Sequence, residues 1–244
     1  MLSLFDTTDE WKEAVANWHG IEDRPPKAYR KRSRGFQVLK NDFLEKYFAT
    51  SPWYMPGLWF IPVVTAGLWD ALGRRDLPLA PVLGLYTAGI LGWTLVEYVL
   101  HRWLFHLPVM KQPLLKEIQY VLHGYHHEFP DDPGRLVAPP VLSWPIAAVL
   151  VVLYALTMGP WWTTVFAGTV TGYLAYDWMH YYSHHGRPFT RAGRFMRRYH
   201  AEHHFKIANS QYGLSSPLWD VVFGTFSTTG ALKPGKEATA DDPT

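Results

Sequence analysis

The sequence contains no cysteine, and this absence limits the chemistry open to the protein. Without thiols the chain forms no disulfide, no thiolate zinc site and no iron–sulfur cluster. Any metal ligand must therefore be a nitrogen or an oxygen atom. A strong net charge is missing too, because 23 basic and 21 acidic residues leave only +2 on 244 residues. This length fits one domain, and the charge balance predicts no nucleic-acid partner.

Patterns typical of nucleophilic and phosphate-binding enzymes are also absent. No serine–histidine–acid arrangement and no glycine-rich phosphate loop stands out in the sequence. The first twenty residues lack the basic start of a secretory signal peptide and carry Asp6, Asp9 and Glu10. We therefore expect no cleaved signal and no catalytic serine.

Histidine is the residue that dominates the candidate chemistry. All histidines except His19 fall in four short clusters. Within HGYHH and HAEHH they stand at positions i, i+3 and i+4, which lie on one face of an α-helix. Two such helices facing each other would build a metal site inside a helical bundle. The clusters are HRWLFH at 101–106, HGYHH at 123–127, HYYSHH at 180–185 and HAEHH at 200–204.

Long apolar stretches indicate that this bundle lies in a membrane. Each approaches the roughly 20 residues that a helix needs to cross the bilayer, and short turns join them as two hairpins. A soluble bundle with buried helices is the alternative. The stretches cover 52–69, 79–100, 141–158 and 161–177. Small residues suited to close helix contact are Gly84, Ala88, Gly92, Gly168 and Gly172.

A basic block before the first apolar stretch sets the predicted orientation. Seven lysines and arginines between residues 24 and 40 indicate a cytoplasmic flank. Each hairpin then leaves and returns, so that all four histidine clusters reach the cytoplasmic side. Arg74 and Arg75 in an outer turn oppose this orientation. Arginines after the last stretch support it: Arg187, Arg191, Arg194, Arg197 and Arg198.

Two further helices are predicted outside the apolar stretches. One begins at Pro113 and ends before Pro130, and the other runs from about Thr190 to Lys206, so that each carries a histidine triplet. These helices would form a cytosolic cap. The predicted fold class is therefore an all-α integral membrane protein with four transmembrane helices, in two hairpins, and a helical cap that holds a dimetal site.

The two ends of the chain differ from the middle. We divide the chain into an N-terminal amphipathic and basic cytosolic segment (1–50), a membrane domain (51–229) and a disordered tail (230–244). The N-terminal segment is predicted to contain an amphipathic helix that lies on a surface. Its apolar residues are Leu4, Phe5, Trp11, Val15 and Trp18.

These motifs together resemble the fatty acid hydroxylase superfamily of membrane di-iron enzymes, and most of all the fatty acid 2-hydroxylases. The resemblance extends from Gly57 to Thr225. The box HGYHHEFPDD followed by GRLVAPP favours the 2-hydroxylase branch over sterol desaturases and carotene hydroxylases. The other motifs that carry the resemblance are HRWLFH, YDWMHYYSHH, YHAEHHFK and YGLSSPLWDVVFGT.

The resemblance implies two metal ions bound almost wholly by histidine. His185 is expected to contact the ligands from outside the ligand set, because it stands about 140° round an α-helix from His180. Asp132, Arg135 and Asp220 match family positions, where they either orient the imidazoles through their second nitrogens or cap a loop. The implied ligands are His101, His106, His123, His126, His127, His180, His184, His200, His203 and His204.

The implied reaction is dioxygen-dependent hydroxylation at carbon 2 of a fatty acyl chain, free or in a ceramide-like lipid. Such a C–H bond resists acid–base and nucleophilic attack, so a cofactor must supply the chemistry. Two iron ions are the implied cofactor, and zinc can replace iron in purified protein. Electrons are expected from a separate ferredoxin or small cytochrome with its reductase. The expected location is a bacterial plasma membrane, or the endoplasmic reticulum in a eukaryote, with the active site facing the cytosol.

Three alternatives stay open at this point. A sterol or carotenoid hydroxylase or desaturase would use the same metals. A membrane cytochrome would hold haem between paired histidines, and a Soret band would reveal it. A zinc-dependent hydrolase or a metal transporter is the third, although transport normally places ionisable residues at mid-membrane depth.

Overall fold

The computed structural model describes residues 6–21 and 35–227, and this part of the chain is largely helical. No sheet forms within it, since Thr7 and Leu39 pair through a single antiparallel bridge. The all-helical prediction is therefore confirmed. Most of the basic block and the predicted tail lie outside the described residues. The helices are α1 (Asp9–Asn17), α2 (Asp42–Leu44), α3 (Met55–Trp69), α4 (Leu79–Leu100), α5 (Pro113–Gln119), α6 (Tyr125–Glu128), α7 (Pro140–Thr157), α8 (Trp162–His185), α9 (Arg191–Phe205) and α10 (Leu218–Val222).

Several helices pass into a wider π-helical turn, in which a peptide N–H bonds to the carbonyl five residues earlier. One such turn continues α4, and another joins α5 to α6, so that both coincide with histidine clusters. The π turns are Glu45–Ala49, Asp70–Arg74, His101–Phe105 and Tyr120–Gly124.

Each of the four predicted apolar stretches contains a helix, namely α3, α4, α7 and α8. By length and composition, two helical segments in the described ranges can cross a membrane, Met55–Arg74 and Leu79–Phe105. A shorter apolar segment, Leu142–Thr157, belongs to α7. Large apolar side chains on these helices face outward, as lipid-facing residues do. Examples are Leu58, Leu83, Leu91, Val149 and Leu156.

The helix α8 is the centre of the bundle and packs against α3, α4 and α7. Its first half is buried almost throughout and is rich in threonine. Thr169 and Thr171 donate hydrogen bonds to carbonyls four residues earlier, at 2.9 Å each. Because neighbouring helices surround α8, it does not need the high hydropathy of a lipid-exposed helix. The predicted stretch 161–177 accordingly ended early, whereas the helix continues to His185.

A close backbone contact joins α4 and α8 at glycines. A Cβ added to Gly89 would lie 3.0 Å from the Cα atom of Gly168. The two helices run parallel, so the contact continues four residues later on each. A Cβ added to Gly172 would lie 2.5 Å from the Cβ of Trp93. The prediction was right for Gly168 and Gly172. It was wrong for Gly84 and Gly92, beside which no described atom lies within 4 Å, because these two glycines face away from α8.

The N-terminal helix α1 is part of the cap. Trp11 and Trp18 are each only 2% exposed, and both pack against the ring of Tyr120. The indole N–H of Trp11 also donates to a carboxylate oxygen of Glu117 at 2.9 Å. The predicted amphipathic helix exists, but its apolar face packs on the π turn between α5 and α6, which carries His123, instead of lying on an outer surface. Leu4 and Phe5 lie outside the described residues.

The two arginines that opposed the predicted orientation are paired. Arg75 Nε lies 2.7 Å from Asp70 Oδ2, and Arg74 binds the other oxygen of the same carboxylate. Thr163 Oγ1 also donates to Asp70, at 3.0 Å. Pairing with Asp70 offsets part of the positive charge at the turn that follows α3.

Candidate metal centre

The ten histidines that the resemblance singled out converge into two groups of five. Within each group the nearest ring nitrogens all lie within 4.8 Å of one another. Eight of the ten side chains are buried, and His106 and His184 are partly buried. The first group contains His101, His106, His123, His127 and His203, and the second contains His126, His180, His184, His200 and His204.

Each histidine triplet is divided between the two groups. His123 and His127 belong to the first group, whereas His126 belongs to the second. The other triplet does the reverse, since only its i+3 member, His203, enters the first group. The prediction that each triplet acts as one face was therefore too simple. The division places the groups side by side, with the rings of His127 and His204 stacked at a centroid distance of 4.2 Å.

The π turn after α4 explains why His101 and His106 enter the same group. The peptide N–H of His106 donates to the carbonyl of His101 at 3.2 Å, so residues five apart stand on the same side of the turn. The pair His180 and His185 has the same spacing but lies in regular α-helix, where it diverges. His185 is exposed, belongs to neither group, and has its ring beside Tyr181.

Two backbone carbonyls set the orientation of histidines in the first group. The carbonyl oxygen of Tyr212 lies 2.6 Å from His101 Nδ1, and that of Ser210 lies 2.7 Å from His203 Nδ1. A carbonyl only accepts, so both Nδ1 atoms carry the proton and both Nε2 atoms keep a free lone pair when neutral. Sequence reasoning missed this loop, because backbone acceptors leave no residue-type signal.

Burial keeps the site electrically neutral. It lowers the pKa of His203 to about 4, and it holds the pKa of His127 and of His204 well below the usual histidine value. Neighbouring imidazoles add to the lowering for His127 and His204, because two positive charges this close repel. The rings are therefore uncharged at neutral pH, which is the state in which imidazole binds a metal.

The donor set fits metal ions. Imidazole nitrogen suits iron, zinc, copper and nickel, and no carboxylate belongs to either group within the described residues. Ligand atoms about 2.1 Å from one ion are at most about 4.2 Å apart, so a spread of 4.8 Å closes with small movements. Within the described part of the chain, neither ring nitrogen of His106 has a hydrogen-bond partner, and His203 Nε2 also has none. A bound ion would offset the roughly 1–3 kcal/mol that each such buried atom costs.

The three other residues named from the resemblance do not touch the imidazoles directly. Asp132 accepts from the Tyr125 hydroxyl at 2.9 Å and from Gly134 N at 3.1 Å, so it caps a loop. Arg135 binds Glu45 and the carbonyl of Ala49 at 2.8 Å, which ties the N-terminal segment to the cap. Asp220 accepts hydrogen bonds from the backbone N–H groups of Tyr212 and Gly213. It does not contact His101 itself, which bonds to the carbonyl of Tyr212.

An apolar cavity of about 660 Å³ reaches both histidine groups. His123, His126 and His180 form part of its wall. The remaining wall comes from α3, α4, α5 and its π turn, the loop before α7, α7, α8 and the N-terminal segment. This volume is typical of a small-molecule site. Apolar residues along it include Trp11, Leu44, Trp93, Leu142, Ile146, Ala147, Phe166 and Tyr173.

Two buried carboxyl groups in the cavity wall escaped the sequence reasoning. Glu97 is 3% exposed and accepts from Leu214 N at 2.5 Å and from Ser215 N at 2.8 Å. Asp177 is 1% exposed and accepts from the Tyr173 hydroxyl at 3.2 Å. The sequence does contain a signal for Glu97 and Asp177, because an acidic residue within a long apolar stretch indicates a functional position.

Comparison with known proteins agrees with the geometry. The family model described as fatty acid hydroxylase matches residues 86–225. The dihydroceramide fatty acyl 2-hydroxylase FAH2 of Arabidopsis thaliana is 39% identical over 196 residues, which cover 78% of this chain and 80% of that protein. The fatty acid 2-hydroxylase of Rattus norvegicus is 34% identical, with 79% of this chain and 57% of the rat protein covered. A solved structure described as full-length scs7p, with only the hydroxylase domain visible, matches with a TM-score of 0.75 and 27% identity over 96% of this chain and 94% of that one.

Proposed function

Because the chain belongs to the fatty acid hydroxylase family, we propose that it hydroxylates carbon 2 of a fatty acyl chain in a membrane lipid. The observation that carries this proposal is the meeting of two five-histidine groups with one apolar cavity. The names of the relatives, which specify 2-hydroxylation of fatty acyl and dihydroceramide substrates, support the position and the lipid class.

The ten histidines hold two iron ions, five histidines around each. Zinc can occupy the same nitrogen ligands in purified protein. Bound iron supplies dioxygen activation and the removal of hydrogen from an unactivated C–H bond. The chain itself supplies the neutral imidazoles, the closed apolar surroundings that exclude water, and the cavity that places the acyl chain.

Four helices span the membrane, and the cap is cytosolic. The two segments that pass the length and composition test, together with the outward-facing apolar residues of α7, support this arrangement. The helix α8 spans as well, shielded from lipid by its three neighbours. The membrane domain covers 51–229, between a cytosolic segment 1–50 and a tail 230–244. The membrane is the bacterial plasma membrane, or the endoplasmic reticulum in a eukaryote.

The proposed depth of the histidines supports position 2. The ligands on α4 and α8 stand at the ends of these helices, His101 just beyond Leu100 and His180 near the end of α8. A lipid whose head group stays at the interface presents its first chain carbons at this depth. Carbons farther along the chain would lie deeper in the cavity, between α4, α7 and α8.

The reaction also needs an electron donor. One atom of dioxygen enters the lipid and the other leaves as water, so each turnover takes two electrons and two protons. A ferredoxin or small cytochrome with an acidic face docks on α9, where Arg191, Arg194 and Arg198 are exposed and no acidic residue occurs between 186 and 199. Replacing Arg191 and Arg194 with glutamate should raise the donor concentration needed for half-maximal rate and leave metal content unchanged. An unchanged requirement would place the docking surface elsewhere.

The deciding experiment locates the new oxygen. Iron-loaded protein in bilayers receives an N-acyl sphingoid lipid with a deuterated acyl chain, a ferredoxin, its reductase and ¹⁸O₂. We expect one ¹⁸O atom at carbon 2 and loss of one deuterium there, located by fragmentation in a mass spectrometer. A hydroxyl or double bond in mid-chain refutes the position. In bilayers that also contain a sterol and a carotenoid, oxidation of either one in place of the acyl chain refutes the substrate class. A Soret band refutes a non-haem centre, and no oxygen-dependent product refutes the reaction.

A further inference from the structure

The loop from Ser210 to Gly213 serves the first histidine group. Its two carbonyls bind His101 and His203, as described above. The ring of Tyr212 also stands edge-on to three histidines of that group, His101, His106 and His203, at centroid distances of 5.6, 5.2 and 5.7 Å. In the second group, His180 hydrogen-bonds instead to the backbone of Leu136. The two groups are therefore held by different loops.

A left-handed residue gives this loop its shape. Gln211 has φ +60° and is 1% exposed. A buried residue other than glycine rarely adopts this conformation, and such outliers gather at functional sites. The side-chain amide of Gln211 donates to Glu202 and to the carbonyl of Ser227, at 3.2 Å each. The reversal lets the carbonyls on both sides of Gln211 reach the same histidine group.

One peptide bond in the loop connects a buried carboxylate to a histidine. The N–H of Gly213 donates to Asp220 Oδ2 at 2.7 Å, and the carbonyl of the same peptide unit, that of Tyr212, accepts from His101 Nδ1 at 2.6 Å. Asp220 also accepts from Tyr212 N at 2.8 Å and is fully buried. Hydrogen bonds in series polarise one another, so the carboxylate makes the carbonyl a stronger acceptor and His101 Nε2 a more basic ligand.

We infer that the loop Ser210–Gly213 positions the metal of the first group alone, and that Asp220 acts on His101 through the Tyr212–Gly213 peptide. Asp220 is thus a positioning residue. This inference rests on the dimetal centre of the proposed function. It predicts that the two metal ions respond differently to a change at Asp220.

The test is the release of zinc from zinc-loaded protein to a competing chelator. In Asp220→Asn we expect one of two zinc ions per chain to be released roughly 10- to 100-fold more readily, and the other to be held as in the wild type. The matched control is Asp132→Asn. Asp132 also accepts a hydrogen bond from a loop N–H, that of Gly134, but no described histidine bonds to the carbonyl of that peptide unit. Release of both zinc ions alike, or of neither, overturns the inference.

Single-group variants identify which ion responds. With the second group disabled by His184→Ala, Asp220→Asn should still loosen the remaining zinc. With the first group disabled by His106→Ala, it should have no effect on the zinc that is left. The reverse pattern overturns the inference. Protein that holds no zinc at all refutes the dimetal centre itself, and this outcome is distinct from equal release of two ions.

A second pair of variants tests the shape of the loop without touching a charge. Gln211→Gly and Gln211→Val both remove the side-chain amide, but only glycine adopts the left-handed conformation without steric cost. We expect Gln211→Gly to keep the first-group zinc ion and Gln211→Val to lose it, whereas both variants should hold the second-group zinc ion as the wild type does. Equal zinc retention in the two variants would show that the backbone reversal does not position the metal.

Discussion

At the residue scale, the backbone around a histidine decides its role as much as the residue type does. His101 and His106 are five residues apart, and so are His180 and His185. The first pair shares a group because a π turn separates its members, whereas regular α-helix directs His185 to solvent beside Tyr181. The orienting contacts of His101 and His203 come from carbonyls, which no residue pattern announces.

The contrast between His184 and His185 gives the first prediction. His184→Ala should lower the metal content of purified protein by about one ion per chain and abolish hydroxylation, because it removes a nitrogen from the second group. His185→Ala should leave both nearly unchanged, since its ring lies outside the groups. Elemental analysis and product formation measure the two effects. If His185→Ala empties the site as fully as His184→Ala, the ligand assignment is wrong.

At the element scale, the contact between α4 and α8 sets the distance between the histidines at their ends. The two helices run parallel, and Gly89 meets Gly168 with no room for a side chain. His101 follows Gly89 by the same twelve residues that separate His180 from Gly168. A shift of one helix against the other therefore moves one histidine group against the other.

A side chain at the helix contact should disturb both stability and metal binding. Gly89→Leu would insert a side chain between two backbones, and overpacking of this kind costs about 1–3 kcal/mol or more. We expect a lower melting temperature and fewer metal ions per chain. Gly92→Leu is the matched control, because open space surrounds Gly92. Equal damage from the two substitutions would contradict the α4–α8 contact.

The cavity between α4, α7 and α8 should limit the length of the acyl chain. Ala147 lines this cavity, whereas Val149, on the same helix, is 68% exposed. Ala147→Trp should shift the hydroxylated products toward shorter acyl chains, because the larger ring fills space that the lipid tail needs. Val149→Trp should leave the product distribution as it is. Mass spectrometry of products from a mixture of chain lengths decides between these outcomes, and an unchanged distribution in Ala147→Trp would exclude this cavity as the acyl site.

At the scale of the whole molecule, the two hairpins bring all four histidine clusters to one end of the bundle. The described part of the N-terminal segment reaches the same end, where Trp11 and Trp18 pack against Tyr120 in the π turn between α5 and α6. The opposite end carries the turn around Asp70, Arg74 and Arg75. In the proposed topology, the cap faces one aqueous compartment and the turns face the other.

The orientation can be measured because the chain has no native cysteine. We expect Phe189→Cys, at a position that is 86% exposed beside the cap, to react with a membrane-impermeant maleimide only from the cytosolic side. Met158→Cys, at a position 41% exposed in the opposite turn, should react only from the other side. Right-side-out and inverted vesicles provide the comparison. Labelling of both positions from one side would contradict the proposed topology.

The sequence by itself determined the helical class, the ten converging histidines and the family. Periodicity and ligand chemistry are local properties, so the spacing in HGYHH and HAEHH indicates helices that carry metal ligands. The full set of ten histidines and the family came from the resemblance, which HGYHHEFPDD, GRLVAPP and the other histidine motifs carry. The approximate ends of α9 and of the α5–α6 segment were also predictable, because Thr190, Pro113 and Pro130 mark helix boundaries.

Only the tertiary structure decided how the histidines divide, which glycine carries the helix contact and what holds the ligands. His126 and His203 cross to the opposite group because α6 and α9 approach each other across the site, a relation between distant segments that no local pattern contains. Gly89 forms the helix contact, and Gly84 and Gly92 do not, because α8 packs on the face of α4 that carries Gly89. His101 is oriented by a backbone carbonyl in a loop more than a hundred residues away in sequence. Every residue has a backbone carbonyl, so the sequence does not show which one will accept this hydrogen bond.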